Sequence, residues 1–395
     1  MTTVTRRRNV RMLAVASATL LLSTLIWFNY SAVLPAVVDA WGLTGVRAGL
    51  LFGAFQAGYL VGVVPLGMVA DRHSSRVVVA VGAAVAATAS VAFGALADGF
   101  LAGGLLRFVA GVGMAGVYVP GMRFVSEWFD AAIRGRAMGV YVGTFSLGSG
   151  LSFVLTSVVA TEFGWRAGLL VTSALALLAA PTMYLFGRDA TRTTNRRRGF
   201  DLSVLRNGSF LAGVGVYGAH NWELYGVRNW LPAFLVSTVA IGSTATPAAT
   251  AGLLAGAVTA AGGVGNLSGG WLSDRVGRRR VIGLGLALSG AGAVVLGVRS
   301  WRSAAVLAAV VVGYGVVLTM DSAPTSTAIT VVVDDDRLGT ALSLQALLGT
   351  LPGVVSPVLF GVVLDAGGYG LAMPTLGVGA LLGLGGVYYL GKDGG

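Results

Sequence analysis

The chain has no cysteine, which removes disulfide frameworks, thiolate metal sites and cysteine nucleophiles together. Lys392 is its single lysine, so no Gly-Lys-Ser/Thr phosphate loop can be written and a self-contained ATP-driven pump is excluded. Only two histidines occur, His73 and His220, far apart in sequence; a histidine metal cluster is not expected, and no metal or cofactor is implied. Charge is scarce too. Charged residues make up 11% of the 395 residues, against about 25% in soluble domains, too few to clothe an ordinary globular surface.

What is present is apolar length. Hydrophobic residues make up 55% of the chain, in runs long enough for the roughly 20 residues that cross a bilayer as a helix. Spans 1 to 6 are expected near residues 10–38, 45–70, 76–97, 101–126, 134–160 and 165–187. Spans 7 to 12 follow near 209–238, 248–272, 279–297, 302–332, 336–363 and 369–391. The arginines Arg6 to Arg8 before an apolar run imitate a secretory leader. That run continues through Trp27 to about Val38, beyond a leader's apolar core, and reads as the first span. Pro35, Pro120, Pro232, Pro324 and Pro352 fall in or near span ends and leave room for kinks.

The net charge of +11 is distributed by topology. With a cytoplasmic N-terminus, 21 of the 27 basic residues fall on the inner side. Arg47, Arg166, Arg299 and Arg302 fall outside, and Arg107 and Arg228 within spans. This bias is that of cytoplasmic loops. A multi-pass protein of the cytoplasmic membrane with both termini inside is therefore expected, and nucleic acid is not a partner. The longest polar interruption divides the chain into residues 1–187, a basic linker 188–208 and residues 209–395. That linker reads as a charged cytoplasmic connection or as a site for acidic lipids.

The two halves repeat. Gly67, Asp71, Arg72 and Arg76 after span 2 map onto Gly270, Asp274, Arg275 and Arg279 after span 8 with one shift of 203 residues. Leu34-Pro35-Ala36 and Leu231-Pro232-Ala233 form a weaker echo. Parallel repeats of this kind mark six-plus-six transporters. The Gly-x-x-x-Asp-Arg-x-Gly/Ser-x-Arg loop, present twice, resembles the signature of the major facilitator superfamily, with Ser74 where glycine is usual. RFVAGVGMAG from Arg107 looks like that superfamily's Arg-x-x-x-Gly-x-Gly element. The resemblance implies an all-α membrane protein of twelve transmembrane helices in two six-helix pseudo-repeats. Asp71 is expected to cap the following helix. Glu127 with Arg134 and Arg136, and Asp334 to Asp336 with Arg337, are expected as gating charges. Small-residue stripes at Gly135, Gly139 and Gly143, at Gly58 and Gly62, and at Gly252 and Gly256 are expected to let helices approach closely.

Ionisable groups inside spans are costly and mark candidate sites. They are Arg107 in span 4, His220, Glu223 and Arg228 in span 7, and Asp321 in span 10, with Asn29, Tyr30, Gln56, Asn221 and Gln345 around them. At about 100° per residue, Glu223, His220, Arg228 and Asn221 share an arc of about 160° on span 7, while Trp222 points away. Arg107 or Arg228 suits an anionic group. Glu223, Asp321 or His220 suits a coupling proton. The same residues also fit fixed interhelical salt bridges that never meet a solute. Span 5 lacks the Gly-Pro step of the superfamily's drug/proton antiporters. DSAPTSTA from Asp321 and RNWLPAF in span 7 loosely resemble small-anion porters of the nitrate or cyanate type, without the paired arginines of true nitrate porters. The expectation is a monomeric secondary transporter, a symporter of a small anionic solute and protons. A drug or metabolite antiporter and a non-transporting receptor or scaffold are the alternatives. No Ser-His-Asp arrangement with a workable geometry is visible, and an enzyme is not expected.

Overall fold

A computed structural model of the chain describes residues 3–190, 202–298, 300–334 and 337–390, without the side chains of 3–6, 71, 131, 132, 338 and 339. Among these residues every regular element is helical. Spans 2 to 5 are the helices Gly45–Arg72, Ser75–Leu96, Phe100–Trp128 and Ala131–Phe163. Span 6 runs from Trp165–Leu177 through Ala179–Pro181 into a π-helical turn, Thr182–Phe186. Spans 7, 8, 9, 11 and 12 are Gly208–Ser237, Pro247–Val276, Arg278–Val298, Leu338–Gly367 and Tyr369–Tyr389.

Ten helical stretches are long and apolar enough to cross a membrane. The two outside that set are the most polar or the most broken. Span 7 carries His220, Asn221, Glu223 and Arg228. Span 1 is three pieces, Thr3–Thr24, Asn29–Ala32 and Leu34–Trp41. Together they complete twelve spans, as the hydrophobic runs predict.

Local chemistry sets the span ends. Ser74, Asn207 and Ser303 accept from the amides of Val77, Phe210 and Val306, satisfying donors that each new helix leaves open. The tight links before spans 6 and 12 turn on Gly164 and Gly368, with φ of 85° and 71°, where a Cβ would be strained. Span 10 divides into Ala304–Val317 and Ser322–Val331. Pro324, just past the break, lacks the N–H that would bond to the Met320 carbonyl, which removes one hydrogen bond that would have continued the helix.

The chain forms two compact units. The first comprises Met1–Gly42, Ala54–Arg196 and Ala248–Gly256; the second comprises Leu43–Gly53, Arg197–Pro247 and Ala257–Gly395. Each therefore takes in the first turns of a helix that otherwise belongs to the other. In the second unit a Cβ on Gly49 would meet the backbone of Pro357 and Val358, and Asp365 accepts from the amides of Gly45 and Val46 at 2.6 and 3.0 Å. In the first unit a Cβ on Gly252 would meet Ser157 and the Phe153 carbonyl. Gly49 and Gly252 are separated by the repeat's own 203 residues, so the internal repeat extends from loop motifs to helix packing.

The glycine stripes divide. Gly58 packs on the backbone of Phe108, and Gly62 on Val112 and Ala115. At Gly135, Gly139 and Gly143 a Cβ would meet no described atom within 4 Å, so that stripe makes no close approach. In span 5 the tight contact is instead at Gly148, against Thr24 and Leu21.

Candidate functional site

Each unit buries its own polar group. In the first unit the broken span 1 provides the setting. Thr24 turns its hydroxyl onto the carbonyls of Leu20 and Leu21, and the amides of Leu25 and Trp27 bond three residues back. Such back-bonding competes with regular helix. Just beyond the break come Asn29 and Tyr30, both fully buried. Arg107 of span 4 is 4% exposed, and its guanidinium lies 4.5 Å from the Phe55 ring centre and 5.3 Å from that of Tyr30. Aromatic faces attract a cation there without neutralising it.

Asn29 donates weakly to Ser90 and Thr172, both at 3.4 Å. Its Oδ1 and the Nε2 of buried Gln56 have no hydrogen-bond partner. Trp27 adds an aromatic wall, edge-on to Phe55, Tyr59 and Phe145 with centroids 4.9 to 5.4 Å away. The sequence-predicted Asn29, Tyr30, Gln56 and Arg107 thus all belong to one unit. Arg107 supplies a buried guanidinium against aromatic rings, in the same unit as the two amides.

The second unit buries carboxyl groups. Glu223 of span 7, 1% exposed, accepts from Ser289 of span 9 at 2.7 Å and from Tyr314 of span 10 at 2.7 Å. His220, one turn earlier, places Nδ1 2.9 Å from Asp321 Oδ1, with Ser322 Oγ 3.0 Å from Nε2. The break in span 10 makes this possible by bringing two consecutive residues, Asp321 and Ser322, to opposite nitrogens of one ring. Asp321 is 1% exposed, and its Oδ2 has no hydrogen-bond partner among the described residues. The Tyr217 ring stacks on His220 at 6.1 Å.

Other span 7 residues hold the helix in place. Asn221 donates to the Gly349 carbonyl at 2.8 Å, and Trp222 to the Thr375 carbonyl at 3.1 Å. Trp222 therefore packs on span 12, as its angle predicts. Arg228 is half-buried, within electrostatic reach of Tyr225. Gln345 donates only weakly to Ser326, at 3.5 Å, and its Oε1 has no partner. Ser289 and Tyr314 were not foreseen. Tyr314 lies seven residues before Asp321, a helical spacing that offered a hint; Ser289, one small residue among many in span 9, offered none.

Two expectations need correction. A Ser–His–Asp arrangement does form, from Ser322, His220 and Asp321, because the broken span places residues 102 and 101 positions from His220 against its ring. The helix after span 2 is capped by Ser74, not by Asp71, whose backbone lies in the last turn of span 2 and whose side chain is outside the described residues.

The loop charges pair locally. Ser74 donates to Asp189 Oδ2 at 2.6 Å, and the Arg76 amide to Oδ1 at 3.2 Å. The Arg76 guanidinium lies 3.8 Å from the same carboxylate and 5.4 Å from the Tyr184 ring centre. Glu127 pairs with Arg123 at 2.8 Å, one turn back on its own helix, rather than with Arg134 or Arg136. Arg134 donates instead to the Phe129 carbonyl, and Arg136 is exposed. Arg275 lies 3.6 Å above the Trp271 ring and Arg279 5.3 Å from that of Tyr388. Arg337 and Asp334 pair loosely at 3.8 Å. Gly67 meets no described atom within 4 Å of a built Cβ, and Gly270 touches only Ala323. Arg72 and Asp274 are exposed. Asp335, Asp336 and most of the basic linker, residues 191–201, lie outside the described residues.

Twelve apolar spans, an internal repeat and buried charges in each unit define a multi-pass membrane transporter built from two related halves. The family model of the Major Facilitator Superfamily matches residues 16–248 and again 224–394. The chain belongs to that superfamily, and it is a transporter, not an enzyme. It is 26% identical over 386 residues to the "Probable sulfoacetate transporter SauU" of Cupriavidus necator, covering 90% of this chain and 87% of that one. It is 24% identical over 365 residues to the "Hexuronate transporter" of Bacillus subtilis, covering 85% and 83%. A solved bacterial homolog of the human lysosomal transporter Spinster superposes with a TM-score of 0.77 at 18% identity, covering 96% of this chain and 93% of that one.

Proposed function

We propose that the chain carries a small organic anion, a carboxylate or sulfonate, together with protons by alternating access, and that the two units divide this work. The observation that supports the reading is the different chemistry of the two buried groups. The first unit buries a guanidinium among aromatic rings. The second buries two carboxyl groups and an imidazole. Arg107 recognises the anion, since a guanidinium on a rigid aromatic support presents a fixed fork to two oxygens. Asn29, Tyr30 and Gln56 shape the same group, and half-buried Arg228 gives the second unit a cation of its own. Glu223 and the His220–Asp321 pair carry the proton. Relatives named for sulfoacetate and hexuronate support an anionic solute.

Further parts of the reading follow from charge placement. On this reading the protein resides in the cytoplasmic membrane with both termini inside, a placement the arginine bias supports, and works as a monomer. The loop residues around Arg76 and Arg279 tune the balance between conformations. A test is uptake of radiolabelled small carboxylates and sulfonates into proteoliposomes with an inside-alkaline gradient, for the native chain and Asp321→Asn. Gradient-driven accumulation by the native chain and its loss in Asp321→Asn are expected. Equal accumulation by both removes Asp321 from the proton path.

A further inference from the structure

The first unit carries a second concentration of positive charge, lined by none of the residues around Arg107. A cavity of about 320 Å³ in the first unit is lined by Arg8, Arg11 and Met12 of the first helix and by Phe186 and Arg188 at the end of span 6. Among the described residues none of these three arginines has a carboxylate within ion-pair distance. The nearest acid in sequence, Asp189, is engaged by Ser74 and Arg76.

The walls are tied together through Trp128 at the end of span 4. Arg8 lies 4.8 Å over its ring, Asn9 donates to its carbonyl at 2.6 Å, and its indole N–H donates to the Arg188 carbonyl at 3.0 Å. The Arg188 guanidinium donates to the carbonyls of Leu185 and Gly187, which restrains its direction. Two chain segments, joined through Trp128, therefore hold around one space three guanidiniums that meet no carboxylate among the described residues. Such a group attracts phosphate oxygens strongly. The rest of the lining is apolar: Met12 is buried, and the Phe186 ring is exposed at the end of a membrane span.

A soluble phosphate has no use for an exposed phenyl ring beside it, whereas a lipid has. We infer that this cavity binds the phosphate headgroup of an anionic membrane lipid. Arg8, Arg11 and Arg188 hold the phosphate, and Met12 and Phe186 meet the first carbons of the acyl chains. The site pins the start of span 1 to the end of span 6, at the mouth of the basic linker.

Native mass spectrometry of the full chain in detergent, titrated with phosphatidylglycerol or phosphatidylcholine, tests this. The native chain should prefer phosphatidylglycerol. Each of Arg8→Gln, Arg11→Gln and Arg188→Gln should lower its affinity about five-fold, and the triple variant about a hundred-fold. The triple arginine-to-lysine variant should keep most of the binding, which separates lost charge from lost folding. Arg206→Gln, Arg278→Gln and Arg280→Gln combined should change little. Equal binding of the two lipids by the native chain overturns the inference, as does an equal loss in the control triple, which means diffuse charge. Competition by glycerol phosphate or inorganic phosphate at the same concentration also overturns it, since the site then takes free phosphate.

Discussion

Glu223→Gln isolates the proton from the architecture. The two carboxylate oxygens accept separately, Oε2 from Ser289 and Oε1 from Tyr314. Glutamine keeps the shape but offers one acceptor oxygen and one amide donor. Ser289 has the Leu286 carbonyl at 3.4 Å as an alternative acceptor, while among the described residues the Tyr314 hydroxyl meets no acceptor other than Glu223. The glutamine oxygen should therefore stay with Tyr314 and the serine should turn away. One charge-assisted bond is lost and one becomes neutral, a cost of about 1–2 kcal/mol. Glu223→Leu loses both acceptors and strands a buried phenol, at about 2–5 kcal/mol. Thermal unfolding in detergent should rank native, glutamine and leucine in that order. In proteoliposomes Glu223→Gln cannot release a proton, so accumulation driven by a pH gradient should vanish while solute exchange at equal pH persists. Full gradient-driven accumulation by a folded Glu223→Gln protein refutes the assignment. Loss of exchange together with accumulation refutes the division of labour between the units.

Arg107→Gln should raise the KM for an anionic solute ten- to a hundred-fold, and Arg107→Lys should recover little, because a point charge lacks the flat fork that lies on Phe55 and Tyr30; initial uptake rates against concentration decide. Gly252→Leu inserts a side chain into Ser157 and the Phe153 backbone, and overpacking of that kind costs about 1–3 kcal/mol; transport should fall several-fold in protein that still elutes as a single species, whereas Gly139→Leu should be tolerated. Ser74→Ala removes the cap of span 3 and one donor to Asp189, which should cost about 1 kcal/mol in thermal unfolding, while Asp71→Ala leaves that helix start intact.

The fold was legible because its signals are long and redundant: twelve apolar runs and a loop motif present twice at one spacing. That span 7 carries buried polar groups was legible too, since His220, Asn221, Glu223 and Arg228 are concentrated on one apolar span. Partnership was not. Glu223 meets Ser289 and Tyr314 from helices 66 and 91 residues away, and neither residue type is unusual in an apolar span. The His220–Asp321–Ser322 contact depends on a helix break, which the sequence marks only by Pro324. Asp71 looked like a cap because it is acidic and precedes span 3, yet span 2 continues to Arg72 and the capping position falls at Ser74. Glycine spacing misled at Gly135, Gly139 and Gly143, since a stripe permits close approach without supplying a neighbour.

The central claim, an anionic solute moving in the same direction as protons, is tested most directly by the proton movement that a solute gradient drives. Proteoliposomes loaded with a pH-sensitive dye, at equal pH on both sides and with the membrane potential clamped, receive an external pulse of a transported small carboxylate or sulfonate. The account predicts acidification of the lumen that scales with solute uptake and is absent in Glu223→Gln. Alkalinisation of the lumen, or solute uptake without any pH change, would contradict it.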